Sequence, residues 1–284
     1  MSADTADSPL TAHSLAPAPV EVPTLPKYAI GVDVGGTGTK GGIVNLTKGK
    51  LSGDRFRIPT PRPATPDAVA AVIEEIVDEL MSRPKAPSPE DLAVGVLFPG
   101  IVIDNVVHSA ANIDHAWIGC NTEDLLSSLP GKLRVLNDAD GAGLAEARYG
   151  AGAGASGTVL TITLGTGIGS ALIHDGVLVP NSELGHLEFD GDIAEKKASA
   201  AARERADMSW EEYGALLGRY LKYVERLHSP SLFIIGGGIS KRSQEFLPYV
   251  KGLRADVVPA ALVNNAGIVG AALFAAEQKA LAER

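Results

Sequence analysis

Three glycine-rich segments mark places where this chain could grip an anion: Asp33-Val34-Gly35-Gly36-Thr37-Gly38-Thr39-Lys40, Gly165-Thr166-Gly167-Ile168-Gly169-Ser170 and Gly236-Gly237-Gly238-Ile239-Ser240. Bare turns of this kind let backbone N–H groups converge on phosphate oxygens. The first adds hydroxyls and a lysine, but it lacks the G-x-x-x-x-G-K-[ST] spacing of a Walker loop. Taken singly, each turn reads more readily as plain strand punctuation. Three of them, each after an apolar run, favour a phosphate cradle. Asp138 follows Asn137 at the end of another apolar run, and with an ordinary pKa of about 3.9 it is ionised at neutral pH. Two uses are open to it: a general base at a strand end, or the N-cap of the alanine-rich segment that follows. Glu183 and His186, three residues apart, would be aimed at one point by a helical turn or a tight loop.

The elements that must position these groups alternate between strand-like and helix-like, which predicts an α/β fold. Tyr28–Val34 is a β-rich run into the first glycine cluster, with a return strand at Ile43–Leu46. Val69, Val72, Ile73, Ile76, Val77, Leu80 and Met81 recur at helical spacing behind Thr65-Pro66, an N-cap and first-turn proline. Leu92–Phe98 and Leu133–Leu136 are expected strands, Ala139–Tyr149 a helix, Leu232–Ile235 a strand and Gly267–Leu281 a closing helix. Gly150–Gly157 is flexible by composition, a hinge or a surface loop.

An internal repeat organises the chain. Ala29–Val44 and Val159–Ile173 share a strand, a Gly/Thr turn and a second strand. At a separation of 130, Asp33 meets Thr163, Gly35 meets Gly165 and Lys40 meets Ser170. Two related lobes follow: a small one over 27–137, a large one over 138–266, and a helix 267–284 packing back on the small lobe. Residues 1–26, rich in Ala, Pro, Ser and Thr without apolar periodicity, are expected to be a disordered tail.

Composition excludes several classes. A net charge of −9 argues against a nucleic-acid or membrane-surface binder. A single cysteine, Cys120, rules out an internal disulfide and any cysteine-rich zinc site. No apolar run approaches the roughly 18 residues of a spanning helix, so a cytoplasmic protein is expected.

DVGGTGTK (33–40), LFPG (97–100), AANID (110–114), NDAD (137–140), LGTGIGSA (164–171), ELGH (183–186) and GGGIS (236–240) together resemble the ROK family of sugar kinases. More narrowly, PNSELGHLEFDG, AARERADMSWEEY, LFIIGGGISK and NNAGIVGAA resemble its polyphosphate- and ATP-dependent glucokinase and glucomannokinase branch. The resemblance, spanning about Tyr28 to Ala276, implies the actin-like (ribonuclease H-like) fold with a cleft between two lobes. It implies a hexokinase that moves a phosphoryl group from polyphosphate, ATP or both to the 6-hydroxyl of glucose, and of mannose. It gives Asp138 as the base and Asn112, Asn137, Glu183, His186 and Glu195 as ligands of the sugar; such side chains offer both donors and acceptors. Asp33, Gly35, Gly36, Thr37, Gly38, Lys40, Gly165, Thr166 and Gly167 would hold the donor, with Gly237 and Gly238 beside the adenosine of ATP. Asp33 would orient a hydrated Mg²⁺. A homodimer is expected by the same resemblance.

The chain departs from the wider family after ELGH, where residues 187–205 contain no cysteine, so structural zinc is not expected and His186 is left for sugar. A polyphosphate track could run over Lys196, Lys197, Arg203, Arg205, Lys241 and Arg242, with Lys40 near the reacting end; the alternating signs of this stretch equally describe a solvated helix face. The rival readings are a strictly ATP-dependent hexose kinase and a sugar-sensing regulator. The residues ahead of Tyr28 lack the helix-turn-helix pattern that a regulator would need.

Overall fold

In the computed structural model, which describes residues 24–110, 113–130 and 133–283, strands and helices alternate from Tyr28 onward. The first half runs β1 (Tyr28–Val34), β2 (Thr39–Asn45), β3 (Lys50–Leu51), β4 (Phe56–Ile58), α1 (Pro66–Met81) and β5 (Val94–Phe98). A small hairpin, β6 (Val102–Ile103) and β7 (Val106–Val107), then α2 (Thr122–Leu125), β8 (Leu133–Asn137) and α3 (Asp138–Tyr149) complete it. The second half begins with β9 (Thr158–Leu164), β10 (Ile168–His174), β11 (Val177–Val179) and the hairpin β12 (Glu188–Phe189) and β13 (Asp192–Ile193). It continues through α4 (Ala194–Ala198), α5 (Ala200–Arg205), α6 (Trp210–His228), β14 (Leu232–Gly236), α7 (Ser243–Phe246), β15 (Asp256–Pro259) and α8 (Ala266–Ala282).

Two sheets share one plan. Their orders are β3-β2-β1-β5-β8, with β4 also on β2, and β11-β10-β9-β14-β15. In each, the first strand of a meander pairs antiparallel with the second and parallel with a later strand. The internal repeat therefore has a structural counterpart, with one change of register. β1 and β9 start 158 − 28 = 130 residues apart, but β2 and β10 start 168 − 39 = 129 apart. Lys40 sits opposite Asp33, and Gly169 opposite Thr163, so the partner of Lys40 in the second half is Gly169 and not Ser170. The second turn is one residue shorter, and a one-residue slip sends every later side chain to the other face.

The cores follow the patterning. β5 is buried at every position, as a parallel central strand should be, and it starts at Val94 rather than Leu92. α1 turns Val69, Val72, Ile73, Ile76, Val77 and Leu80 onto the first sheet. Thr65 and Pro66 stand at its start as expected, although the Thr65 side chain makes no capping bond. α6, opened by a Ser209/Glu212 capping box, buries Tyr213, Leu217, Tyr220, Leu221 and Val224 on the second sheet.

α8 lies on the first sheet and against α3. Three glycines allow that approach: a Cβ on Gly31 would run into Ile268 O, one on Gly95 into Ala271 O, and one on Gly270 into Gly141 O. The segment 150–157 is a turn-rich surface loop, exposed over residues 153–156, whose start is held to α3. The buried Glu146 carboxylate accepts from Ala151 N at 2.9 Å, Ala261 N at 3.0 Å and Leu262 N at 2.7 Å, tying the end of α3 to the entry of α8.

Candidate functional site

β8 ends at Asn137, and α3 begins at the next residue. Asn137, not Asp138, caps the helix: its Oδ1 accepts from Ala139 N at 2.8 Å and Asp140 N at 3.3 Å. Its Nδ2 donates to Gly100 O at 3.2 Å, so one N–H of this amide is left for a ligand. The N-cap use that the sequence left open for Asp138 is thus taken by its neighbour, and Asp138 stands as the first helical residue.

The Asp138 side chain is open to solvent on one side, while protein crowds its carboxylate on the others. That crowding, then the Asp33 and Glu183 carboxylates, push it up to about 6, with the Ala139 N–H pulling the other way. The open side tempers the shift. Two residues on, Asp140 is 1% exposed. Burial, then Glu183 and Asp138, push it up to about 7 against the Asn181 N–H bonded to it.

A 3-10 turn over Leu184–His186 brings Glu183 and His186 together, with His186 Nδ1 3.3 Å from Glu183 Oε2. His186 Nε2 lies 4.0 Å from Glu195 Oε1. Glu195, in α4, also accepts from Ile168 N at 3.4 Å, and a Cβ on Gly167 would strike its carboxylate. Glu183, His186 and Glu195 therefore form one polar cluster at the edge of the second glycine turn. Asn112 lies outside the described residues.

The three glycine turns leave Gly36, Thr37, Gly165, Thr166, Gly237 and Gly238 exposed. Gly237 has φ +80°, and a Cβ there would strike the Leu164 backbone. The turn Gly165–Gly167 also receives the start of α5, through Ala201 N to Gly165 O at 3.1 Å. Lys40 Nζ lies 2.9 Å from Asp33 Oδ2, so its charge is shared with that carboxylate. Asp33 also borders Gly267 in the first turn of α8, where a Cβ would come within 3.1 Å of Oδ2. A helix N-terminus there favours negative charge.

Sequence reasoning missed the braces of the first turn. Arg57 Nη2 donates to Thr37 O at 2.9 Å, with its guanidinium in the space beside Gly38, and the Thr60 hydroxyl donates to Gly35 O. Both residues come from β4 and the loop after it, and only sheet pairing brings them here. Asp140 and Asn181 were missed as well, though both stand inside quoted motifs.

Four of the six basic residues sort into two kinds. Lys196 pairs with Asp192 at 3.3 Å and Arg205 donates to Lys196 O at 3.3 Å, as solvated helix charges do. Arg203 and Arg242 stack on Trp210, at 3.6 and 4.6 Å from its ring centroid, and Arg242 also pairs with Glu245. This stack sits one turn from Ala201 and directly after the Gly236–Ser240 turn. Lys197 is half-buried and Lys241 is exposed.

Among the described residues, no three His, Cys, Asp or Glu side chains are grouped to hold a metal ion. A cation that brings its own waters and phosphate ligands needs no such cage, and the single Asp33 carboxylate at the first turn fits it. No helix among the described residues is long and apolar enough to cross a membrane. Behind the carboxylates lies a cavity of about 1080 Å³, walled in part by Val102, Leu136, Asn137, Asp140, Leu178 and Asn181.

Residues 29–199 match the model of the ROK family. The chain is 46% identical over 252 residues to the polyphosphate glucokinase of Mycobacterium tuberculosis, covering 88% of this chain and 92% of that protein. It is 45% identical over 271 residues to that of Mycobacterium leprae, covering 95% and 80%. The crystal structure of the inorganic polyphosphate/ATP-glucomannokinase from Arthrobacter sp. strain KM matches with a TM-score of 0.82 and 61% identity, over 89% of this chain and all of that one. A Streptomyces griseus ROK glucokinase in complex with glucose and AMPPNP matches with a TM-score of 0.72 and 27% identity, over 87% and 99%.

Proposed function

Since this chain belongs to the ROK family, with the actin-like fold of its structural neighbours, we propose that it is a kinase that phosphorylates the 6-hydroxyl of glucose from polyphosphate or ATP. Mannose is its second acceptor, as the name of the Arthrobacter relative supports. The observation that carries this reading is the place of Asp138. Its carboxylate stands electrostatically coupled to Asp33, at the first glycine turn, and to Glu183, in the polar cluster with His186 and Glu195.

The hexose lies against Glu183, His186, Glu195 and the free N–H of Asn137, with Asn112 as a further ligand. Asp138 takes the proton of the 6-hydroxyl as that oxygen attacks the terminal phosphorus. The bond from that phosphorus to the rest of the donor breaks, leaving ADP or a polyphosphate shorter by one residue. The turns at Gly35–Gly38 and Gly165–Gly167, which expose Gly36, Thr37, Gly165 and Thr166, hold the donor in line together with Lys40. Gly237 and Gly238 leave room for adenosine. Mg²⁺, when bound with the donor near Asp33, neutralises charge on the transferring phosphoryl group. The Arg203–Trp210–Arg242 stack continues the donor site for a longer anion, with Arg203 as its leading cation, since the edge of Arg242 is held by Glu245.

The lobes 27–137 and 138–266 close on the sugar and exclude water as a competing acceptor. The enzyme works in the cytoplasm as a homodimer; the exposed apolar residues Ile103, Val177 and Leu281 around one cavity mouth support a covered face. The deciding experiment is a matrix of polyphosphate and ATP against glucose, mannose and N-acetylglucosamine with Mg²⁺. Glucose 6-phosphate from both donors is expected. Turnover with ATP alone would assign the strictly ATP-dependent alternative, and no hexose product from either donor would refute the kinase.

A further inference from the structure

We infer that Asp140 is a positioning residue, a buried carboxyl that fixes the hexose-binding segment 181–186 to the start of the helix bearing Asp138. The inference rests on the reading of Glu183 and His186 as sugar ligands.

An acidic residue in the first turn of a helix ordinarily stays in water and complements the helix dipole. Asp140 stands in such a turn but is out of the water. It is 1% exposed, and its Oδ2 accepts the N–H of Asn181, forty-one residues away, at 2.7 Å. Its Oδ1 is buried with no protein partner. A buried carboxyl holding a single donor is unfavourable by itself, so its placement points to what that donor controls.

Asn181 is a junction. Its backbone is left-handed, with φ +59°. Its side chain bridges the β6–β7 hairpin, with Nδ2 donating to Val102 O at 3.0 Å and Oδ1 accepting from Val102 N at 3.3 Å. Asp140 thus joins α3, through one residue, to a hairpin that leaves the first sheet. Beyond Asn181, the Ser170 hydroxyl donates to Ser182 O and accepts from Leu184 N at 2.9 Å, and Tyr220 holds Leu184 O at 3.1 Å. Glu183 is bracketed by these ties, and on its N-terminal side Asp140 holds Asn181 while Ser170 holds Ser182. The same helical turn therefore sets both the base and the loop carrying the sugar ligands. None of these bonds touches the turns at Gly35–Gly38 or Gly165–Gly167.

The test is steady-state kinetics on Asp140→Ala, Asp140→Asn and Asn181→Ala, with hexose and donor varied separately. Asp140→Ala should raise the glucose KM about tenfold or more, with donor KM and kcat within about threefold. Asp140→Asn keeps an acceptor oxygen for the Asn181 N–H and should return the glucose KM to within about threefold of wild type. Asn181→Ala should raise it severalfold. An unchanged glucose KM in Asp140→Ala, an equal rise in donor KM, or Asn as damaging as Ala would overturn the inference. Should Asp140→Ala fail to fold, an unchanged glucose KM in Asn181→Ala would overturn it. A wild-type chain that phosphorylates no hexose would instead sink the functional reading. Hydrogen exchange then decides the tether, since Asp140→Ala must speed exchange at Asn181–His186 and Asp140→Asn must not.

Discussion

Replacing Asp138 by asparagine should cripple the enzyme and stabilise the fold. Crowding of the carboxylate by protein, and then the Asp33 and Glu183 carboxylates, raise it from 3.8 to about 6. A general base contributes roughly 10²–10⁴ in rate, so kcat should fall by about 10³. The stability effect has the opposite sign. A folded-state pKa above the unfolded one means that the ionised form is penalised in the fold. The penalty is absent below about pH 4, grows between the two values and is complete above 6. At roughly 1.4 kcal/mol per pH unit, the ceiling is about 3 kcal/mol, and screening by solvent on the open side reduces it to about 1 kcal/mol. Asp138→Asn should therefore melt roughly 2–4 °C higher than wild type at pH 7.5. By the same linkage that gap should shrink to about two thirds at pH 4.5. In wild type, kcat/KM should fall about tenfold per pH unit below 6. Calorimetry and a coupled glucose 6-phosphate assay read both effects. A kcat within tenfold of wild type, or a melting gap that does not change with pH, would refute this account of Asp138.

Glu183→Gln removes a negative charge facing Asp138 and should move the acid limb of the kcat/KM profile to lower pH, while the glucose KM rises about tenfold. Gly95→Ala drives a Cβ into Ala271 O and should lower stability by about 3 kcal/mol in chemical denaturation, with α8 lifted from the sheet. Arg203→Ala should raise the KM for long-chain polyphosphate by about 3- to 10-fold and that for ATP by less; equal effects on both would remove the Trp210 stack from the polyphosphate path.

Much of this protein was legible in its residues because the signals are local. Apolar runs placed β1 and β8, helical spacing placed α1, and alanine-rich composition placed α3 and α8, each to within a few positions. The Gly/Thr turns betrayed the duplicated meander, since a tight turn demands particular residues at particular steps. That Glu183 and His186 meet was foreseeable from their spacing, while the 3-10 turn that brings them together was one of two paths left open. What stayed hidden depended on partners far apart in the chain. The shorter second turn, which moves the partner of Lys40 from Ser170 to Gly169, shows only when strands pair. Whether Asp138 serves as a base or as the cap of α3 was open in the sequence, and the backbone path gives the cap to Asn137 instead. Arg57 and Thr60 carry no motif and reach the first turn because β4 pairs with β2. Sequence by itself thus determined many of the elements, the glycine turns and the set of chemical groups. The tertiary structure alone decided which carboxylate is crowded, which is buried on Asn181, and which cations stack on Trp210, because burial and charge proximity are properties of atoms brought together in space.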